Sequence, residues 1–248
     1  MGPTTYKFDW PKIALELGIV FVGVLLALAV NEWMTSRHER AEEVVLLRGV
    51  RTEFQAILQD MDREIVFRKA MKENCRQIYA LAEAGARPDI ATLDPMLGKL
   101  LWWSSAYLTT GAVDSILVGG KLRLIENEEI RYFLAALPAR LANVRQVEAN
   151  DYVTLRDVSV PFLMQHADLS QLLATMRSKR PGSTEKGELT FKYHPRVARD
   201  HANLLNDTEF LAVVGNVYAS QENVMYSYEA MKPDFEHMIG LLDAELNE

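Results

Sequence analysis

The stretch IALELGIVFVGVLLALAVNEW, residues 13–33, decides the fold of this chain, and its apolar run from Leu17 to Val30 carries no charge. A helix rises about 1.5 Å per residue, so this stretch spans roughly the 30 Å hydrocarbon core of a bilayer. Trp10 and Trp33 lie on either side of it, as expected of indole rings at the two membrane–water boundaries. The sequence therefore predicts a transmembrane helix over residues 13–33, with the lipid bilayer as its partner.

Two other interpretations of this stretch stay open. A short uncharged run can be a buried helix of a soluble domain. It can also belong to a secretory signal peptide, because Ala27-Leu28-Ala29 has the small-x-small form of a cleavage site. No helix breaker precedes these alanines, and the helical pattern continues past them into charged sequence. This continuity favours a retained anchor.

The composition limits the class of protein. The chain has 248 residues, of which 49% are hydrophobic and 25% charged, so it has room for the anchor and one sizeable domain. A formal net charge of -7 argues against nucleic acid as a partner. Cys75 is the only cysteine, which excludes an intrachain disulfide. It is either a small buried residue or a cross-link between two copies.

The tail is predicted to cover residues 1–12 and the main domain residues 34–248. The domain begins with a long helix. No helix breaker occurs before Ala84, and Gly85 and Pro88 supply a stop. Apolar residues recur along this segment at the spacing of one helical face. They are Leu47, Val50, Phe54, Ile57, Met61, Ile65, Met71, Cys75, Ile78 and Leu81. The anchor is therefore predicted to continue as a stalk helix over about residues 34–85.

Several central helices are predicted over about residues 94–176. Asp94 followed by Pro95 has the pattern of an N-cap and first helical residue, starting a short helix that runs to Trp102 and Trp103. Adjacent tryptophans on one helix point in different directions, so one of them could meet a partner surface. Packing into the core is the more common fate of such large aromatic side chains.

The next helices are placed by their caps and by proline. Thr109 or Thr110 opens one helix, which Gly119 and Gly120 end, and Asn127 caps a long one. The apolar face of the long helix is predicted to contain Ile130, Phe133, Leu134, Leu137, Leu141, Val144, Val147, Tyr152 and Leu155, with a slight kink at Pro138 and an end or bend at Pro161. A helix over 162–176 and an exposed loop over 177–192 follow.

The last helix, over about residues 206–246, carries the clearest pattern. Every seventh position from Phe210 is apolar, and a second apolar series accompanies it, with Gln221 as a polar exception. The two series are Phe210, Val217, Val224, Met231 and Met238, and Val214, Tyr228, Phe235 and Leu242. Such a coiled-coil-like seam should pack antiparallel against the stalk. The predicted fold class is all-α: one N-terminal transmembrane helix that continues into an elongated antiparallel helical bundle.

Within the anchor, Glu16, Gly23, Ala27 and Asn31 share one helical stripe, because they are spaced by seven, four and four residues. Small residues let helices approach closely in lipid, and asparagine can hydrogen-bond across such an interface. We predict that this stripe drives self-association or docks another membrane subunit. The alternative is a monomeric anchor with incidental small residues. A proton-carrying role for Glu16 is disfavoured, since the side chain lies one turn from the tail and can reach water.

No catalytic, metal or cofactor site is predicted. His194 and His201 flank an arginine-containing segment without carboxylates at ligand spacing, and His38, His166 and His237 are isolated. The glycines after Asp114 lack the spacing of a phosphate-binding loop. We therefore expect a protein that is not an enzyme.

Two stretches resemble an uncharacterised bacterial family of single-pass membrane proteins of about this length. The first is the anchor, in which Glu16, Gly23, Ala27, Asn31 and Trp33 match the opening pattern of that family. The second is DSILVGGKLRLIENEEIRYFLAAL, residues 114–137, which is similar to its central segment. The chain departs from the family by carrying Glu32 where a second asparagine is common, and by a less basic tail. The resemblance implies a class of protein and no activity.

The expected function is that of a membrane-anchored, oligomeric scaffold or accessory subunit of a bacterial inner-membrane assembly. The alternative is a membrane-anchored sensor or ligand-binding bundle. Orientation is nearly balanced, because Lys7 and Lys12 precede the span while Arg37 and Arg40 follow it. The resemblance implies a cytoplasmic N-terminus and a periplasmic main domain.

Overall fold

The computed structural model describes residues 10–169, 172 and 201–247, and these form helices and short connections without a β-strand. The predicted loop over 177–192, most of the helix predicted beyond His166, and His194 lie outside the described residues. The predicted all-α fold class is confirmed.

Helix α1, Trp10–Glu83, is 74 residues long and joins the apolar stretch to the stalk without a break. At about 1.5 Å per residue it measures roughly 110 Å. All side chains from Leu17 to Val30 are exposed, and none packs into the bundle. The stretch is therefore not a core helix of the domain, and its length and composition allow it to cross a membrane.

The end of α1 follows the predicted glycine signal. Gly85 adopts a φ of 59°, and its amide donates to the carbonyl of Ala82 at 3.0 Å. The amide of Ala86 donates to Leu81 at 3.0 Å. A left-handed residue after the last turn lets these amides satisfy carbonyls that the helix leaves open.

Helix α2, Ile90–Lys99, corrects the prediction for Asp94 and Pro95. Its N-cap is Asp89, whose carboxylate accepts a hydrogen bond from the amide of Thr92 at 2.9 Å. Asp94 is instead buried within the helix, and Pro95 lies inside it. The rule for caps found the right residue types, but a second aspartate five residues earlier takes the cap.

The predicted extension of this helix through Trp102 and Trp103 is also wrong. Helix α2 ends at Lys99, and both tryptophans lie in the connection that follows, where each is half-buried. Helix α3, Gly111–Val118, follows Thr110 as predicted, and the 3₁₀ turn Lys121–Leu124 comes after Gly120, which has a φ of 64°.

Helix α4, Glu128–Thr154, begins at the predicted cap. Asn127 Oδ1 accepts hydrogen bonds from the amides of Glu129 and Ile130, at 3.0 and 3.2 Å. A π-helical turn, Leu155–Ser159, joins α4 to helix α5, Val160–His166. Pro161 lies in the first turn of α5, where its missing amide does no harm, and the irregular turn precedes it.

Helix α6, Thr208–Asn247, buries every residue of the predicted seam, including Gln221. It follows the 3₁₀ turn His201–Asn206. Its direction is read from its bonds to α1. Glu245 accepts from Arg40, Glu222 from Lys72 and Leu211 from Tyr79. As the residue number increases along α1, the number of its bonded partner in α6 decreases. The two helices are therefore antiparallel, as predicted.

Helix α4 runs parallel to α1 and antiparallel to α6. The ring of Phe54 in α1 contacts Phe133 in α4 and Phe235 in α6, with centroids 5.6 and 4.9 Å apart. Further along, Arg68 of α1 meets Asp151 of α4. The three long helices therefore form the bundle, and α3 and the preceding connection pack along α1 and α4.

The core consists of two apolar clusters at different levels of the bundle. The cluster nearer the apolar stretch contains Phe54, Leu134 and Phe235 among its buried residues. The distal cluster contains Cys75 and Phe210 and receives residues of α2 and α5. Buried charged and polar groups lie between the two levels.

Candidate functional site

The residues predicted for the membrane stripe lie on an exposed part of α1. Gly23, Ala27 and Asn31 are exposed, and a side chain added at Gly23 would meet no atom within 4 Å. At about 100° per residue, Ala27 lies half a turn away from Phe54, which marks the core face of α1. The stripe therefore faces away from the bundle core. Glu16 and Trp10 are helical, and their side chains are outside the described ones.

Trp33 closes the apolar stretch in an exposed position. The guanidinium of Arg37 lies over its ring, 4.9 Å from the centroid. An aromatic ring beside a cationic group suits the polar boundary of a membrane, where one side of the indole is apolar and the other is wet.

The predicted partner-surface residues Trp102 and Trp103 lie in the connection after α2 and not on a helix, and Trp103 contacts α4. The ring of Trp103 packs edge-on against Tyr152, with centroids 5.2 Å apart. Tyr152 is 43% exposed, so it is an outer residue of α4, and the prediction that it belongs to the buried face is wrong. The buried face continues through Glu148 and Asp151.

The buried polar layer between the two apolar clusters is centred on Arg68, whose side chain is fully buried. Its Nη1 donates to Asp151 Oδ2 at 2.5 Å and to Gln221 Oε1 at 2.6 Å, and its Nη2 donates to the carbonyl of Ser104. Asp151 also accepts from Ser220, at 2.6 Å. One guanidinium thus connects α1, α4, α6 and the connection after α2.

A second carboxylate completes this layer. Tyr228 donates its phenol hydrogen to Glu148 Oε1, which also accepts from the amide of Ala106 at 2.9 Å. Burial and the hydrogen bond to Glu148 both raise the pKa of Tyr228. The phenol therefore stays neutral and remains a donor at physiological pH.

The periodicity of apolar residues alone does not predict this layer. Arg68 follows Met61 by seven residues, and Glu148 and Asp151 follow Leu141 and Val144 by seven. The sequence does contain a sign of this layer. Charged residues continue the apolar repeats of two predicted helices, and Gln221 interrupts the repeat of the third. Buried charges persist when they are paired and hydrogen-bonded.

A buried pair of His201 and Asp94 lies in the distal part of the bundle. His201 Nε2 accepts a hydrogen bond from the amide of Asp168 at 3.0 Å, so the hydrogen is on Nδ1, which donates to Asp94 Oδ1 at 2.7 Å. Because Nε2 is occupied by a backbone amide, it is not available as a general base. The pair ties α2 to the 3₁₀ turn before α6.

A ring of polar contacts closes the end of the bundle nearer the apolar stretch. Glu43 is buried and accepts from Arg40 and from the amide of Glu126, both at 2.7 Å. Arg40 also donates to the carbonyl of Glu245 at 3.0 Å, and the side chain of Asn127 donates to Glu245 at 2.7 Å. These five residues join α1, the start of α4 and the end of α6.

An elongated groove of about 650 Å³ runs along the bundle surface between α4 and α6. Its exposed walls carry neutral amide side chains, namely Asn143 and Asn150 on α4 and Asn216 and Asn223 on α6. The ion pair of Arg140 and Asp234, 2.5 Å long, stands at one end. Asp151, already paired with Arg68, lies at the floor.

Within the described part of the chain, no three His, Cys, Asp or Glu side chains are grouped so that they could hold a metal ion. Cys75 is fully buried, so it is not exposed for a cross-link between copies. Burial raises the pKa of its thiol to about 12.

Comparisons with protein-family models, with curated proteins and with solved structures find no match to this chain.

Proposed function

We propose that this chain is a membrane-anchored helical scaffold or accessory subunit of a bacterial inner-membrane assembly, without catalytic activity. The observation that carries this proposal is the continuity of α1. One helix contains both the apolar stretch and the principal helix of the bundle. A partner that binds the anchor would therefore hold the whole bundle at a defined height, because no flexible linker separates the two parts.

The bundle itself supports a structural role. Its buried polar groups are joined to one another, as in the contacts of Arg68 with Asp151 and Gln221. Buried polar contacts of this kind favour one register of the helices over others. A scaffold needs such a single arrangement. The stripe of Gly23, Ala27 and Asn31 faces away from the core and is proposed to contact other membrane-embedded helices.

A sensor or ligand-binding bundle is the second candidate, and the groove between α4 and α6 favours it. Its wall residues offer both hydrogen-bond donors and acceptors, and its volume is that of a small-molecule site. The groove is open along the surface, whereas ligand sites usually enclose most of the ligand. A sensor predicts thermal stabilisation of the full chain by a small polar compound.

The proposal is tested in native membranes. Carbonate extraction should leave the chain in the membrane fraction, and purification in a gentle detergent followed by mass spectrometry should recover stoichiometric partners or further copies. Replacing Gly23 and Ala27 by isoleucine should release the partners bound through the anchor. Ala29→Ile is the matched control, since at about 100° per residue position 29 lies on the opposite face. A clean monomer from the native chain would contradict the proposal.

A further inference from the structure

We draw no further inference here: the strongest candidate, the polar groove between α4 and α6, carries nothing further, because Arg140 and Asp234 at its end already pair with each other within one chain and nothing in the structure shows what covers it.

Discussion

Arg68 shows how one residue determines the arrangement of the bundle. Its guanidinium is fully buried, and its donors are directed to groups on three other segments of the chain. Arginine suits this position because its planar fork reaches several acceptors at fixed angles, which a lysine ammonium does not. The alternative helix registers leave this cation without its acceptors, and burying an unpaired charge is costly.

Replacing Arg68 by methionine should destabilise the chain by about 3–5 kcal/mol, because Asp151 is then buried without its cation. Adding Asp151→Asn should recover part of this loss, since the neutral amide removes the uncompensated charge. Denaturant unfolding of the full chain in detergent, followed by circular dichroism, measures both effects. Arg76→Met is the control, as this arginine is exposed on the same helix. Equal losses for positions 68 and 76 would contradict the role of the buried layer.

Cys75 should be unreactive toward thiol reagents in the folded chain at pH 7–8. Burial raises its pKa to about 12 from an ordinary value of 9.0, and the thiolate is the reactive form. The raised pKa also makes stability fall as pH rises from about 9 through about 12, since only the unfolded state readily loses this proton. A disulfide-exchange assay should detect the thiol in denaturant only. Native reaction at the rate of an exposed cysteine introduced at Gln77 would contradict this.

At the scale of the elements, the start of α4 depends on a single cap. Asn127 accepts from two amides of the first turn and donates to Glu245 in α6. Asn127→Ala should cost about 1–2 kcal/mol, and Asn127→Ser should recover most of the cap while losing the bond to Glu245. Chemical unfolding of the three chains compares them. A serine variant no more stable than the alanine variant would show that the bond to Glu245, and not the cap, matters at this position.

The elements with long apolar repeats could be predicted from the sequence. The seam of α6, the stalk part of α1 and the cap at Asn127 follow from helical periodicity and local hydrogen bonding. The start of α2 could not be placed, because Asp89 and Asp94 are both good caps by residue type. Only the tertiary contact with His201, more than a hundred residues away, shows why Asp94 is buried.

The candidate sites were predicted less completely than the helices. The common face of Gly23, Ala27 and Asn31 follows from their spacing along one helix, and its role as an interface stays a prediction. The groove and the buried layer arise from two or three helices that meet, so their partners depend on packing. Arg68 and Asp151 are 83 residues apart and meet only in the bundle. In the sequence, a charged residue within an apolar helical face is the local indication of such a buried contact between helices.

For the molecule as a whole, the span and the bundle should be separable in stability. The side chains from Leu17 to Val30 are exposed and make no part of either core cluster. A chain over residues 34–248 should therefore leave the membrane fraction and unfold within a few degrees of the full chain. Thermal circular dichroism in the same detergent compares the two. A much lower midpoint would mean that the apolar stretch supports the bundle.

For the proposed anchored chain, cysteine labelling tests on which side of the membrane the bundle lies. The two flanks of the span carry similar numbers of lysine and arginine, and long domains are translocated with little regard to charge, so charge does not decide it. The resemblance of the anchor leads us to expect a periplasmic bundle. In a Cys75→Ala background, Glu73→Cys should react with an impermeant maleimide in spheroplasts, because position 73 is exposed at the distal end of α1. Thr5→Cys in the tail should react only after lysis. The opposite pattern would place the bundle in the cytoplasm.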